Sequence, residues 1–246
     1  MAARIVAISP PGEGLRLIGG FRYRLLSDSC RRSMEIDYHC DGDLGARQQE
    51  LVELFRSRLL PDVHARPNLE GTVRPATGLD TGLPSLRIVD MAFYRRAPQP
   101  LRIEIPVEIT TIPCADPPVV RTVAGTVFLT ASDADMIEAK ILALVNRIHV
   151  QERDLLDVFL FQDTLHSDWA HRLAAKLRQL WVEPGSVARL VARLESERDA
   201  HARGVDSALR EQVDPPVAGN ISRAGGGEMI VSTVLRLLKQ GLKPNR

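Results

Sequence analysis

Hydrophobic residues change their rhythm once along this chain, near residue 132. Before that point they come in short β-rich runs cut by glycine and proline; after it they recur at helical spacing with few breaks. The first run, Leu15-Arg-Leu-Ile18, predicts a short strand that ends at Gly19-Gly20 and leads into a helix over residues 21–26. Residues 34–38 alternate and predict a second strand. A helix over 44–60 follows, with Leu51, Leu54, Phe55 and Leu59 on one face and Pro61 as its stop. Three more strands are predicted over 85–94, 101–111 and 119–130. The middle one, LRIEIPVEIT, places Arg102 and Glu104 on one face, joined by Glu108 where the alternation carries past Pro106. Ile103, Ile105, Val107 and Ile109 take the other face, and Pro106 predicts an edge strand or a bulge.

From Ser132 the pattern is helical. Ser132 is a good N-cap, with Asp133 and Asp135 in the first turn of a helix running through MIEAKILALVNRI. Further helices are predicted over 152–161, 167–180, 186–203 and 229–241, and residues 215–227, rich in proline and glycine, predict a loop or linker. The expected fold class is α+β: a mixed-sheet core over residues 1–131, then an α-helical domain over 132–246.

Composition narrows the function classes. The chain is 44% hydrophobic and 26% charged, an ordinary globular balance, and its net charge of +1 supplies no global field for a polyanion, so any such site must be local. Lysine is nearly absent: Lys140, Lys176, Lys239 and Lys243 stand against 28 arginines. Cys30, Cys40 and Cys114 form no CxxC pair, so neither a disulfide framework nor a structural zinc is indicated, and a reducing compartment fits. Pro10-Pro11 cut the N-terminal apolar run short of a signal-peptide core, and no stretch approaches the roughly 20 apolar residues of a membrane span. A cytoplasmic protein is expected.

The chemistry centres on Gly19-Gly20, Glu35-Ile-Asp37 and Glu104. Carboxylates at i and i+2 of a strand share a face, and a third from a neighbouring strand converges on them as a hard-cation site for Mg²⁺. A diglycine at a strand-to-helix turn lets backbone amides approach phosphate oxygens. Arg31, Arg32 and Ser33 offer cations and a hydroxyl to the same phosphates. Taken singly, each part has a plainer account: a tight turn, a solvated acidic face, a loop of surface arginines. Farther on, Lys140 reads as a triphosphate contact, with Asp157 and Arg147 or Arg153 as a polar ladder behind it. The plainer account there leaves Lys140 solvated and puts Arg153 and Asp154 in inter-helix ion pairs.

In order, GG, then RRSMEIDY, then RIE, then EAKILALVNRIHVQERDLLD resembles the AbiEii-type abortive-infection nucleotidyltransferase toxins, within the minimal, DNA polymerase β-like nucleotidyltransferase superfamily. The resemblance spans roughly residues 15–160. It implies a Mg²⁺-dependent transfer of a nucleoside monophosphate from an NTP to an acceptor, open between tRNA, a protein and a small molecule, by the toxin of a toxin–antitoxin pair. By position it implies that Glu35, Asp37 and Glu104 are catalytic metal ligands. Gly19, Gly20, Arg32, Ser33, Lys140 and Asp157 would bind the nucleotide, and the helical domain would close over it. Glu35 stands where the family carries aspartate, and Phe21 where a small hydroxyl residue follows the diglycine. Two alternatives therefore stay open: a catalytically degenerate nucleotide-binding protein and a structural partner subunit.

Overall fold

The computed structural model describes residues 1–76, 86–96, 99–183 and 185–241. By its internal contacts the chain divides into two units, Met1–Ile112 with Pro117–Ala131, and Pro113–Asp116 with Ser132–Arg246.

The first unit opens with helix α1 (Ala2–Ala7), strand β1 (Arg16–Ile18), helix α2 (Gly19–Ser27) and strand β2 (Ile36–His39). Helices α3 (Leu44–Leu54) and α4 (Leu60–His64) follow, then strands β3 (Leu69–Pro75), β4 (Leu86–Arg95), β5 (Leu101–Thr110), β6 (Val119–Val123) and β7 (Thr126–Thr130). The strands form one mixed sheet in the order β3-β4-β5-β2-β1-β7-β6. β2 runs parallel to β5 and β1 parallel to β7; the other neighbours are antiparallel. Alternation then does its work: Leu17, Ile36, Tyr38, Val107 and Ile109 face a core closed by Leu51, Phe55 and Leu59 from the helices.

Several sequence expectations shift. The helix expected to stop at Pro61 instead runs on to His64, because a π-helical turn over Phe55–Leu59 re-spaces the hydrogen bonds ahead of the proline, which has no N–H to give. The run over 119–130 is two strands joined at Ala124-Gly125, both at positive φ, as a tight hairpin turn requires. β3 was not expected. Its sequence, LEGTVRP, carries glycine and proline and buries only Val73 fully, so its pairing with β4 and not its own pattern makes it a strand. Ser85, the first residue of the strand expected over 85–94, lies outside the described residues. The edge position expected of Pro106 holds for half a strand: β5 is interior to the sheet, but β2 reaches it only from Val107 onward.

The second unit is helical: α5 (Asp133–Asn146), α6 (Glu152–Phe161), α7 (Trp169–Gln179), α8 (Ser186–Ser196), α9 (Arg198–Gln212), α10 (Pro215–Arg223) and α11 (Gly226–Gly241). Ser132 caps α5 as its sequence predicts, accepting from the Asp135 N–H at 3.0 Å. The helix expected over 186–203 breaks at Glu197, and α9 continues from there. The expected loop over 215–227 is helix α10 and the first turn of α11. Pro215 and Pro216 fall in the first turn, where no N–H is needed. Gly227 lets α11 cross α9, since a Cβ there would lie 2.0 Å from the carbonyl oxygen of Ala202, and Asp206 of α9 accepts from the Gly227 N–H at 2.7 Å. No described helix is long and apolar enough to cross a membrane.

A buried ionic network ties α5 to α7. Lys176 donates to Asp135 at 2.5 Å and lies 2.6 Å from Glu138, while Arg172 binds Glu138 at 2.6 Å and forks onto Asp116 at 2.8 and 2.9 Å. The Arg172 fork, helped by Ser132, holds the Asp116 carboxyl down to about 2 from its ordinary 3.8. A folded-state pKa below the unfolded one means that ionised Asp116 stabilises the unit above about pH 3.8 and that this contribution vanishes as pH falls toward 2. Thermal midpoints followed from pH 5 to pH 2 should therefore fall less steeply in Asp116→Asn than in wild type. Parallel curves would remove Asp116 from the acid limb.

Candidate functional site

β2 is short, and both of its neighbours meet it at Asp37: Ile18 of β1 lies opposite on one side and Glu108 of β5 on the other. Because Ile36 and Tyr38 face the core, Asp37 points to the opposite face of the sheet, and Glu108, flanked by buried Val107 and Ile109, does the same. Glu35, one residue ahead of β2, completes the cluster, with carboxylate oxygens of Glu35, Asp37 and Glu108 all within 4.8 Å of one another. Ser33 fixes the approach to the strand: its hydroxyl donates to the Glu35 carbonyl at 3.1 Å and accepts from the Glu35 N–H at 3.3 Å.

The diglycine closes one side. β1 passes directly into α2 at Gly19, whose φ of +74° suits glycine, and a Cβ there would lie 1.8 Å from Asp37 Oδ2. Gly20 packs on Ser33, where a Cβ would come within 3.3 Å of the hydroxyl. α2 thus begins against the Asp37 carboxylate. It is held there by buried Arg22, whose Nε donates to Thr130 Oγ1 at 3.0 Å, and Thr130 in turn donates to the Leu17 carbonyl at 2.7 Å. Arg31 is buried and donates to the Arg32 carbonyl, leaving the Arg32 side chain exposed beside Ser33.

The carboxylate that lies beside Glu35 and Asp37 is that of Glu108, and Glu104 is not part of this cluster. Glu104 lies four residues back on β5, opposite Ala92 of β4, in the half of the strand that β2 does not reach, and its carboxylate pairs with Arg102. A sequence signal separates the two glutamates: Glu104 has an arginine two residues before it on the same face, whereas Glu108 has Pro106 and Thr110 at those spacings.

Lys140 and Asp157 belong to the helical unit. Lys140 bridges α5 to α6, 3.2 Å from Asp154 and 2.9 Å from Asp157, and Arg147 pairs with Asp154. Asp154 and Asp157 are buried, while Lys140 keeps about a fifth of its side chain exposed. The solvated account of Lys140 does not hold, and Asp157 does lie behind it as the polar ladder expects, joined by Asp154 and Arg147.

Three oxygen-rich side chains suit a hard cation such as Mg²⁺, and their mutual repulsion favours one. No protein-family model matches the chain, and no curated protein matches it in sequence. Solved structures do match in shape. JHP933 from Helicobacter pylori superposes over 97% of this chain and 89% of its own, with 16% identity and a TM-score of 0.51. MenT4, a nucleotidyltransferase toxin from Mycobacterium tuberculosis H37Rv, superposes over 75% of this chain and 68% of its own, with 16% identity and a TM-score of 0.50. The chain therefore shares the α+β fold of these proteins, a fold that carries nucleotidyltransferase chemistry in at least one of them.

Proposed function

We propose that this protein is a metal-dependent nucleotidyltransferase, moving a nucleoside monophosphate from an NTP to an acceptor hydroxyl, and that it serves as the toxin of an AbiEii-like toxin–antitoxin pair. The observation that carries this reading is the convergence of Glu35, Asp37 and Glu108 against the glycine start of α2, in a fold shared with MenT4. The sheet unit is the transferase core, and the helical unit, which takes in Pro113–Asp116, is its second domain.

Glu35, Asp37 and Glu108 are the residues that would hold Mg²⁺, which when bound activates the acceptor hydroxyl and offsets charge on the transferring phosphoryl group. Gly19 and Gly20 expose the first N–H groups of α2, and these, with the helix dipole behind them, bind triphosphate oxygens. Arg32 adds a cation at the rim, and Ser33 holds Glu35 in place. The extra methylene of Glu35 fits its position: it stands outside the strand, and the longer side chain brings its carboxylate into the cluster. That fit favours an active site over a degenerate one. Within the helical unit, Asp154 and Asp157 hold the Lys140 ammonium between them.

The test is transfer of label from each of four α-labelled NTPs to total RNA and to protein, with pyrophosphate release followed in parallel. Transfer that requires a divalent cation is expected. Nucleotide binding without pyrophosphate release under any metal would replace this reading with the binding-protein alternative.

A further inference from the structure

β4 pairs with β5 along its whole length, whereas β2 pairs with it only at Val107–Thr110. The outer half of β5 therefore has, among the described residues, no strand along one side. Residues 101–104 are all exposed there, Leu101 by 46% and Ile103 by 37%. A row of backbone donors and acceptors beside exposed aliphatic side chains invites another strand, and natural sheets usually blunt such edges with like charges that repel a second copy.

This edge carries opposite charges placed symmetrically about its centre. Leu101-Arg102-Ile103-Glu104-Ile105 reads in chemical terms as apolar, cation, apolar, anion, apolar. We infer that two copies of this protein associate through antiparallel pairing of their β5 edges centred on Ile103. In that register each Ile103 faces its counterpart, Leu101 faces the partner's Ile105, and Arg102 faces the partner's Glu104, twice over. Directly opposite charges attract and like charges repel across a ladder, so the pattern also selects the register. Moving the centre by one residue sets Arg102 against Arg102 or Glu104 against Glu104, and in-register parallel pairing stacks like on like. Pro100 and Pro106 bracket the segment, and with no N–H to donate they confine the pairing to these five residues. Within one chain Arg102 already pairs with Glu104 and lies over the Tyr94 ring, 5.4 Å from its centre, so both charges are in place on that face before a partner arrives. An interface this small makes a weak, concentration-dependent dimer.

Sedimentation equilibrium over about three decades of concentration reads the association. Wild type is expected to dimerise at the upper end. Arg102→Glu makes the edge all acidic and Glu104→Arg makes it all basic, so each alone should stay monomeric. An equimolar mixture of the two should form a heterodimer, because each acidic position then faces a basic one. The double exchange Arg102→Glu with Glu104→Arg should dimerise as wild type does. Thermal melts of each variant confirm that it is folded. A wild type that stays monomeric, single variants that dimerise normally, or a mixture that fails to associate would each overturn the inference. None of these outcomes depends on nucleotide transfer.

Discussion

Asp37→Asn is expected to lower nucleotidyl transfer by roughly a thousandfold while leaving the protein as stable as wild type or slightly more so. The two effects have one cause. Asparagine keeps the volume against Gly19 and both ladder partners of β2, but removes one of three carboxylates within 4.8 Å of each other. Catalysis loses a metal ligand, and the free fold loses a like-charge repulsion. Glu108→Gln should behave in the same way. Glu104→Gln should leave transfer within about twofold, since that residue sits in the outer half of β5 and pairs with Arg102. Steady-state transfer rates and thermal melts of the three variants check this together; a large loss in Glu104→Gln with none in Glu108→Gln would return the third ligand to Glu104.

The largest effect on stability should come from Lys176→Met. Lys176 is 3% exposed, and its ammonium lies between the fully buried carboxylates of Asp135 and Glu138. Removing it leaves Arg172 as the remaining cation on two buried charges, and breaking such a pair costs about 3–5 kcal/mol. For a chain of this size that corresponds to a fall of about 10 °C or more in the thermal midpoint. Adding Glu138→Gln should recover part of the loss, because the second change removes one of the charges that the first exposed to a low-dielectric surrounding. A cost below about 1 kcal/mol for Lys176→Met would mean that water reaches the network.

Much of this was legible in the sequence where local pattern and tertiary environment agree. β1 and the diglycine, the alternation of β5, the Ser132 cap and the span of α6 all follow from spacing and turn chemistry. Glu35 and Asp37 were visible as an i, i+2 pair for the same reason. What the sequence hid was set by partners. β3 is a strand because β4 lies beside it, and α10 is a helix because two prolines occupy positions that need no donor. The choice of Glu108 over Glu104 depends on where β2 runs out, which is a matter of register between strands about 70 residues apart in sequence. For Lys140 the sequence placed Asp157 behind it but not Asp154, because the packing of α5 on α6 decides that the ammonium bridges both.

Pro113–Asp116 lies between β5 and β6 of the sheet unit yet belongs to the helical one, so the chain passes between the two units at three joints. Asp116 accepts from the Ser132 hydroxyl at 2.6 Å and takes the fork of Arg172, so the first helix of the second unit is anchored by a residue encoded before the last two strands of the first. The consequence is hereditary as much as mechanical. A recombination event at residue 132 would deliver a helical unit without the carboxylate that its Ser132 cap and its Arg172 both engage, and would leave the sheet unit with an acidic loop that has lost its partner. The two units are thus poor candidates for exchange as separate cassettes, and a lineage that replaced one of them would have to change the chain at three places at once.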